Sequence, residues 1–242
     1  MSIPGSRATP PDPPDSRPPD PTRLFLVRHG QSTWNDARRI QGQLDPPLSA
    51  LGEMQARRLA ERLNGHSFDG FYTSDLARCR QTAAVIAPEI GKEPLEMVDL
   101  REIALGEWEG LTREEMIARF PEEWKHWERE PSWDLVPGSE GAGPFEVRVH
   151  RVLDELFKRH PHGDVLVITH GGVIQVALGR SLGRNSHGLF PFVIDNCSIS
   201  ILTRGRARTV ISGVNDICHL HAGALASAVA RRERSGGLTQ QY

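Results

Sequence analysis

From residue 24 onward the chain alternates short, unbroken apolar runs with longer stretches in which apolar residues recur every third or fourth position. Runs of strand length occur at 24–27 (LFLV), 68–74 (FDGFYTS), 94–99 (PLEMVD) and 164–169 (DVLVIT). Helical repeats lie between them. Ser49 can cap a helix over 50–64, with Leu51, Ala56, Leu59, Ala60 and Leu63 on one face. A helix over 75–87 carries Leu76, Ala83 and Ile86, and Thr112 with Glu115 forms a capping box that opens another. Residues 145–160 put Val149, Val152, Leu153, Leu156 and Phe157 on one stripe, and a further helix covers 171–183. The last two runs, 197–204 and 207–213, read as a hairpin. Unbroken apolar strands are buried on both faces. The order therefore predicts an α/β fold: a doubly wound, mostly parallel sheet with helices on both faces.

The ends differ in kind. Residues 1–22 contain TPPDPPDSRPPDPT, which has no apolar side chain to bury and is expected to be a disordered, proline-rich tail. The folded domain is expected over 23–221, followed by a short helix and a loose tail over 222–242. Across 242 residues, 29 Lys and Arg stand against 31 Asp and Glu, a net charge of −2. That balance argues against nucleic acid as a partner but allows a local cationic pocket. Cys79, Cys197 and Cys218 are odd in number and have no CxxC spacing, which suits a reducing compartment and neither a disulfide framework nor a thiolate zinc site. With no run of membrane-spanning length and no signal-peptide core, the expectation is a soluble cytoplasmic protein without a membrane partner.

Two of the strands run straight into a His-Gly step, VRHG at 27–30 and THGG at 169–172. In open parallel sheets the ligand crevice lies beyond the carboxyl ends of the strands, so His29 and His170 can share one pocket. Gly30, Gly171 and Gly172 let the backbone approach a ligand closely. A lone histidine at a strand end is usually a satisfied polar residue; two in the same context are less easily dismissed. Arg28 selects the chemistry. A guanidinium beside His29 repels a metal ion and offers a fork of donors to phosphate oxygens, so no metal is expected. Arg78 stands near the start of a helix that follows a strand end, where anions are favoured. Glu102 lies in a loop punctuated by Gly106 and Gly110; either residue alone would be an ordinary surface charge.

In order and spacing, the segments LVRHGQSTWN, QGQLDPPLSALGEMQA, YTSDLARCRQTA, LREIALGEWEG and VITHGGVI resemble the histidine phosphatase superfamily. That group holds the cofactor-dependent phosphoglycerate mutases and many small phosphomonoesterases. The resemblance runs from about residue 24 to 215. It implies that His29 is the nucleophile, that Arg28, Arg78 and His170 hold the phosphate oxygens, and that Glu102 protonates the leaving group. Asn35 and Gln41 match positions that often line the pocket. A neutral imidazole meets a dianionic ester with less repulsion than a carboxylate does, and two arginines can stabilise the charge on the transferring group.

The mutases carry Glu-Arg-His-Tyr-Gly at the acid segment and an arginine pair later. Here REIALGEWEG has no tyrosine and EWKHWEREPSW no arginine pair. These departures point to a metal-independent phosphoric monoester hydrolase with no cofactor. Mutase-type phosphoryl transfer and a non-catalytic phosphate-binding module remain the alternatives. A lid insertion over the carboxyl edge is expected at about 103–143, holding Trp108, Trp124, Trp127 and Trp133. The tryptophans either line the substrate site or pin the insertion to the core, and helical spacing of Trp124 and Trp127 favours the second. The acidic insertion suits a small phosphorylated metabolite better than a polyanion. RIQGQLDPPLS is similar to members acting on phosphosugars or glucosyl phosphoglycerate, while α-ribazole phosphatases are also resembled; Glu140 matches the family's lid motif only in part. His160, His162, His219 and His221 are read as surface residues without metal. A monomer or homodimer is expected.

Overall fold

The computed structural model describes residues 20–184, 191–206 and 208–221. Most of the expected N-terminal tail, the expected C-terminal helix and tail, and Ala207 of the expected hairpin lie outside the described residues. In chain order the elements are β1 (Thr22–Arg28), α1 (Thr33–Asp36), α2 (Ala50–Leu63), β2 (Gly70–Thr73), α3 (Ala77–Ile90) and β3 (Leu95–Glu96). They continue with α4 (Arg113–Arg119), α5 (Pro121–Arg129), α6 (Ala142–Arg159), β4 (Gly163–Thr169), α7 (Gly171–Ser181), β5 (Ile199–Arg204) and β6 (Thr209–Asp216). The sheet order is β3-β2-β4-β1-β5-β6. The first four strands in that order are parallel, and β5 and β6 close the sheet as an antiparallel pair.

Burial explains the unbroken apolar strands. Leu24, Leu26, Val165 and Val167 face one core with α6, α7 and the residues that precede α6. Phe25, Val27, Leu166 and Ile168 face a second core with α2 and α3. Truncating a fully buried residue such as Leu26 to alanine costs about 2–5 kcal/mol, so both cores are needed. The doubly wound, mostly parallel architecture matches the pattern of the sequence.

Several boundaries differ from the sequence reading. The run at 94–99 is a strand only over Leu95–Glu96, because the Met97 N–H makes the last ladder bond to β2, at the Thr73 carbonyl, and a 3₁₀ turn takes over at Val98–Leu100. Helix α3 begins at Ala77 and runs on to Ile90, where Gly91 ends it at φ 63°. Helix α6 starts three residues before Phe145, because Asp134 Oδ1 accepts the Ala142 N–H (3.0 Å) and satisfies the helix end from a distance. The four tryptophans between residues 103 and 143 are buried against one another, with ring centroids 4.7 Å apart for Trp127–Trp133 and 5.3 Å for Trp108–Trp127. They pin the segment to the α6–α7 core. Cys79 and Cys197 are buried and free, and Cys218 is exposed and free. No helix among the described residues is long and apolar enough to cross a membrane.

Candidate active site

The parallel register brings the candidate residues to one edge. Arg28 of β1 pairs with Thr169 of β4, so His29 and His170 stand side by side, one residue beyond each strand. Their rings lie 5.2 Å apart at 62°. The next strand along, β2, ends at Thr73 opposite Ile168 and leads through Ser74 to Arg78 at the start of α3. Beyond it, β3 leads through the 3₁₀ turn to Glu102. Adjacent strand ends thus deliver each of these residues.

Close packing explains the glycines. A Cβ on Gly30 would stand 2.6 Å from the Gly52 carbonyl oxygen of α2, and one on Gly172 would stand 2.2 Å from Glu102 Oε1. The Gly30 N–H donates to Thr82 Oγ1 (3.0 Å), which donates to the Arg78 carbonyl (2.7 Å), tying the first His-Gly step to the arginine helix.

His29 is almost wholly buried. Its Nδ1 lies 2.7 Å from the Gly30 carbonyl, which can only accept, so Nδ1 carries the proton and Nε2 the bare lone pair. Burial, then the charges of Arg78 and Arg28, push its pKa well below the ordinary histidine value. His170 is shifted the same way by burial, Arg78, His29 and Arg28, and its Nε2 meets Ser74 Oγ at 2.9 Å. Cys79 Sγ stands 3.4 Å from that nitrogen; burial pushes the thiol pKa up, so it is no nucleophile.

Arg28 is buried, with Nη1 donating to the Ile194 carbonyl (2.6 Å). Arg78 is fully buried, and Nη1 and Nη2 donate to the carbonyls of Leu44 and Gly42, both at 2.8 Å. Its Nε has no partner among the described residues. Burial lowers the Arg78 pKa, but an arginine stays charged. A buried guanidinium tied to carbonyls and not to a carboxylate is an incomplete arrangement that an anion completes. Glu102 Oε1 accepts the Ile103 N–H (3.0 Å) and Oε2 accepts the Gly172 N–H (3.1 Å), which sets its carboxyl at the start of α7 beside His170.

Asn35 and Gln41 belong to the surrounding network. Ser32 caps α1 by accepting the Asn35 N–H, and Asn35 Oδ1 accepts the Ser32 N–H, both at 3.0 Å. The Ser32 hydroxyl donates to Gln41 Oε1 (2.7 Å). Asn196, absent from the sequence reading, donates from Nδ2 to the His29 carbonyl (3.0 Å) and to Asn35 Oδ1 (3.4 Å). Asn196 and Ser74 carry no local signal that would single them out; only strand pairing brings them to the histidines. Among the described residues no group of three His, Cys, Asp or Glu side chains is arranged to hold a metal. The arrangement suits transfer of a phosphoryl group to a neutral imidazole flanked by fixed cations.

Residues 24–217 match the family model for histidine phosphatase superfamily (branch 1). Phosphoserine phosphatase 1 of Hydrogenobacter thermophilus is 35% identical over 198 residues, covering 82% of this chain and 94% of that protein. A probable phosphoglycerate mutase, GpmB, of Photorhabdus laumondii is 35% identical over 218 residues, covering 84% of this chain and 97% of that protein. Among solved structures, a phosphoserine phosphatase mutant from Entamoeba histolytica in complex with phosphoserine is similar at a TM-score of 0.73 and 27% identity, covering 82% and 99% of the two chains.

Proposed function

The chain belongs to the histidine phosphatase superfamily, and on that premise we propose that it is a metal-independent phosphomonoesterase acting on small phosphate monoesters through a phosphohistidine at His29. The observation that carries this reading is the Nδ1–H bond from His29 to the Gly30 carbonyl, which leaves Nε2 as the lone pair of a buried, neutral imidazole between two arginines. In the first step Nε2 attacks phosphorus, the bond to the ester oxygen breaks, and Glu102 gives that oxygen a proton. Arg28, Arg78 and His170 hold the oxygens of the transferring group, on which charge accumulates. In the second step water attacks the phosphorus, Glu102 takes a proton from the water, the bond from phosphorus to Nε2 breaks with its electron pair returning to the imidazole, and inorganic phosphate leaves.

Asn35 and Gln41 serve as walls of the pocket, and residues 103–143 as its cover. Support for the cover comes from Glu109, whose Oε1 accepts the Gln43 N–H at 2.9 Å and so joins this segment to the loop that holds Arg78. The three free cysteines support a cytoplasmic location. The substrate class is a small phosphorylated metabolite, in keeping with the phosphoserine phosphatases among the relatives.

The mutase-named relative gives a second reading, in which the phosphoryl group returns to substrate and not to water. Pure protein given a panel of phosphomonoesters, with phosphoserine and 3-phosphoglycerate among them, separates the two by phosphate release against isomer formation. Release of phosphate from p-nitrophenyl phosphate is expected to survive excess EDTA. Activity lost to EDTA and restored by a divalent ion would overturn the proposal, as would an absence of turnover across pH 5–8.

A further inference from the structure

One mostly buried guanidinium near the site has no part in that reaction scheme. Arg148 projects from α6, and its Nη1 donates to the carbonyl oxygens of Asp99 (3.0 Å) and Arg101 (2.8 Å). Its Nη2 donates to the carbonyl of Glu102 (3.2 Å) and to Glu140 Oε1 (2.7 Å). Gln43 Nε2 reaches the same Glu102 carbonyl (3.1 Å). The Arg148 and Glu140 side chains are only 15% and 20% exposed. Arg148 also lies 5.0 Å over the Phe145 ring, whose Cζ is 3.3 Å from where a Cβ on Gly172 would be.

These contacts address a specific difficulty. The chain leaves the 3₁₀ turn at Arg101 as an irregular loop, yet the Glu102 carboxyl must stay beside the start of α7. Three carbonyl oxygens of the turn and loop converge on one place, and their mutual repulsion has to be relieved by several donors in a fixed plane. Arginine supplies them; a lysine is a point charge without the fork. Glu140 balances the charge, so Arg148 holds the loop without adding a free cation beside the acid.

We propose that Arg148, held by Glu140, is a positioning residue that sets where the Glu102 carboxyl stands for proton transfer. This rests on reading Glu102 as the acid. Displacing a catalytic group by about 1 Å costs on the order of 10²-fold, which bounds the effect.

The test compares Arg148→Lys and Glu140→Gln with Glu102→Gln, and Arg148→Lys in both the wild-type and the Glu102→Gln background. Each is assayed on p-nitrophenyl phosphate and on the best alkyl monoester of the panel, with folding checked by circular dichroism. Arg148→Lys is expected to lower kcat on the alkyl ester about 10–100-fold with KM little changed, and to lower p-nitrophenyl phosphate turnover by no more than about threefold. Glu140→Gln, which keeps every Arg148 donor, is expected to show a smaller loss with the same leaving-group preference. In the Glu102→Gln background Arg148→Lys should cost nothing further on either ester. Equal losses on both esters, or a full additional loss without Glu102, would make Arg148 a structural residue only and overturn the inference. If Glu102→Gln itself shows no leaving-group preference, the reading of Glu102 fails first and takes this inference with it.

Discussion

Replacing Glu102 with glutamine tests a chemical role and not merely a location. The carboxyl accepts one backbone N–H on each oxygen, from Ile103 at 3.0 Å and from Gly172 at 3.1 Å. Glutamine keeps the shape and one acceptor, but its NH₂ must face the other N–H donor. One lost hydrogen bond costs about 1 kcal/mol, or roughly fivefold, and that cost falls on every substrate alike. Loss of the proton is different. An alkoxide is a poor leaving group and needs the proton in the transition state, so an alkyl ester should lose roughly 10²–10⁴-fold in kcat/KM. p-Nitrophenolate leaves without help and should register little beyond the fivefold misplacement cost. Steady-state kcat/KM for both esters, wild type against Glu102→Gln, therefore gives a ratio of losses of at least about tenfold. Equal losses would refute the acid assignment and leave Glu102 as a residue that places phosphate or water.

Gly172→Ala should mimic that variant without touching the acid, because the new Cβ would lie 2.2 Å from Glu102 Oε1 and force the carboxyl aside. Its kcat/KM should fall mainly on alkyl esters, and a change of less than about twofold would contradict the packing argument. Folding stability should fall in acid: His29 and His170 are held neutral in the folded chain, while the unfolded chain takes up their protons below about pH 6.5. Each then removes about 1.4 kcal/mol per pH unit, so urea titrations at pH 7.5 and 5.5 should differ by about 3 kcal/mol from these two residues. His170→Gln should remove about half of that difference, and an unchanged pH slope in the variant would contradict the buried, neutral assignment. Deleting residues 1–21 should leave kcat/KM unchanged, because a proline-rich tract without apolar anchors supplies no pocket wall. A severalfold drop would show that the tract reaches the site.

What could be read from the chain depended on how local its cause was. Leu24 to Val27 and the run at 164–169 are buried on both faces, and that double burial is written directly in their composition. The two His-Gly steps were legible for a similar reason, since each marks the end of a buried strand where only a glycine fits the packing. Glu102 was different: as a loop carboxylate it says nothing by itself, and only the ordered resemblance singled it out. The residues that surround the site were the least legible. Asn196 reaches His29 across 167 positions, and Ser74 reaches His170 across 96, so neither contact leaves a short-range pattern. Arg148 carries no local signal on its amphipathic helix, although it binds three carbonyls of the distant stretch 99–102. Helix α6 starts before its apolar stripe suggests, because the acceptor of the Ala142 N–H is Asp134, well before the helix. The strand at 94–99 was overextended because apolar content does not reveal where a 3₁₀ turn takes over.

The central claim is a phosphoryl group carried on Nε2 of His29. Brief mixing with ³²P-labelled substrate, denaturing quench and peptide mapping tests it most directly, with the isomer of phosphohistidine identified against standards. The expected label is acid-labile and alkali-stable, located on His29, attached at Nε2 because Nδ1 is committed to the Gly30 carbonyl, and absent from His29→Ala. Label attached at Nδ1, or label that persists in His29→Ala, would contradict it.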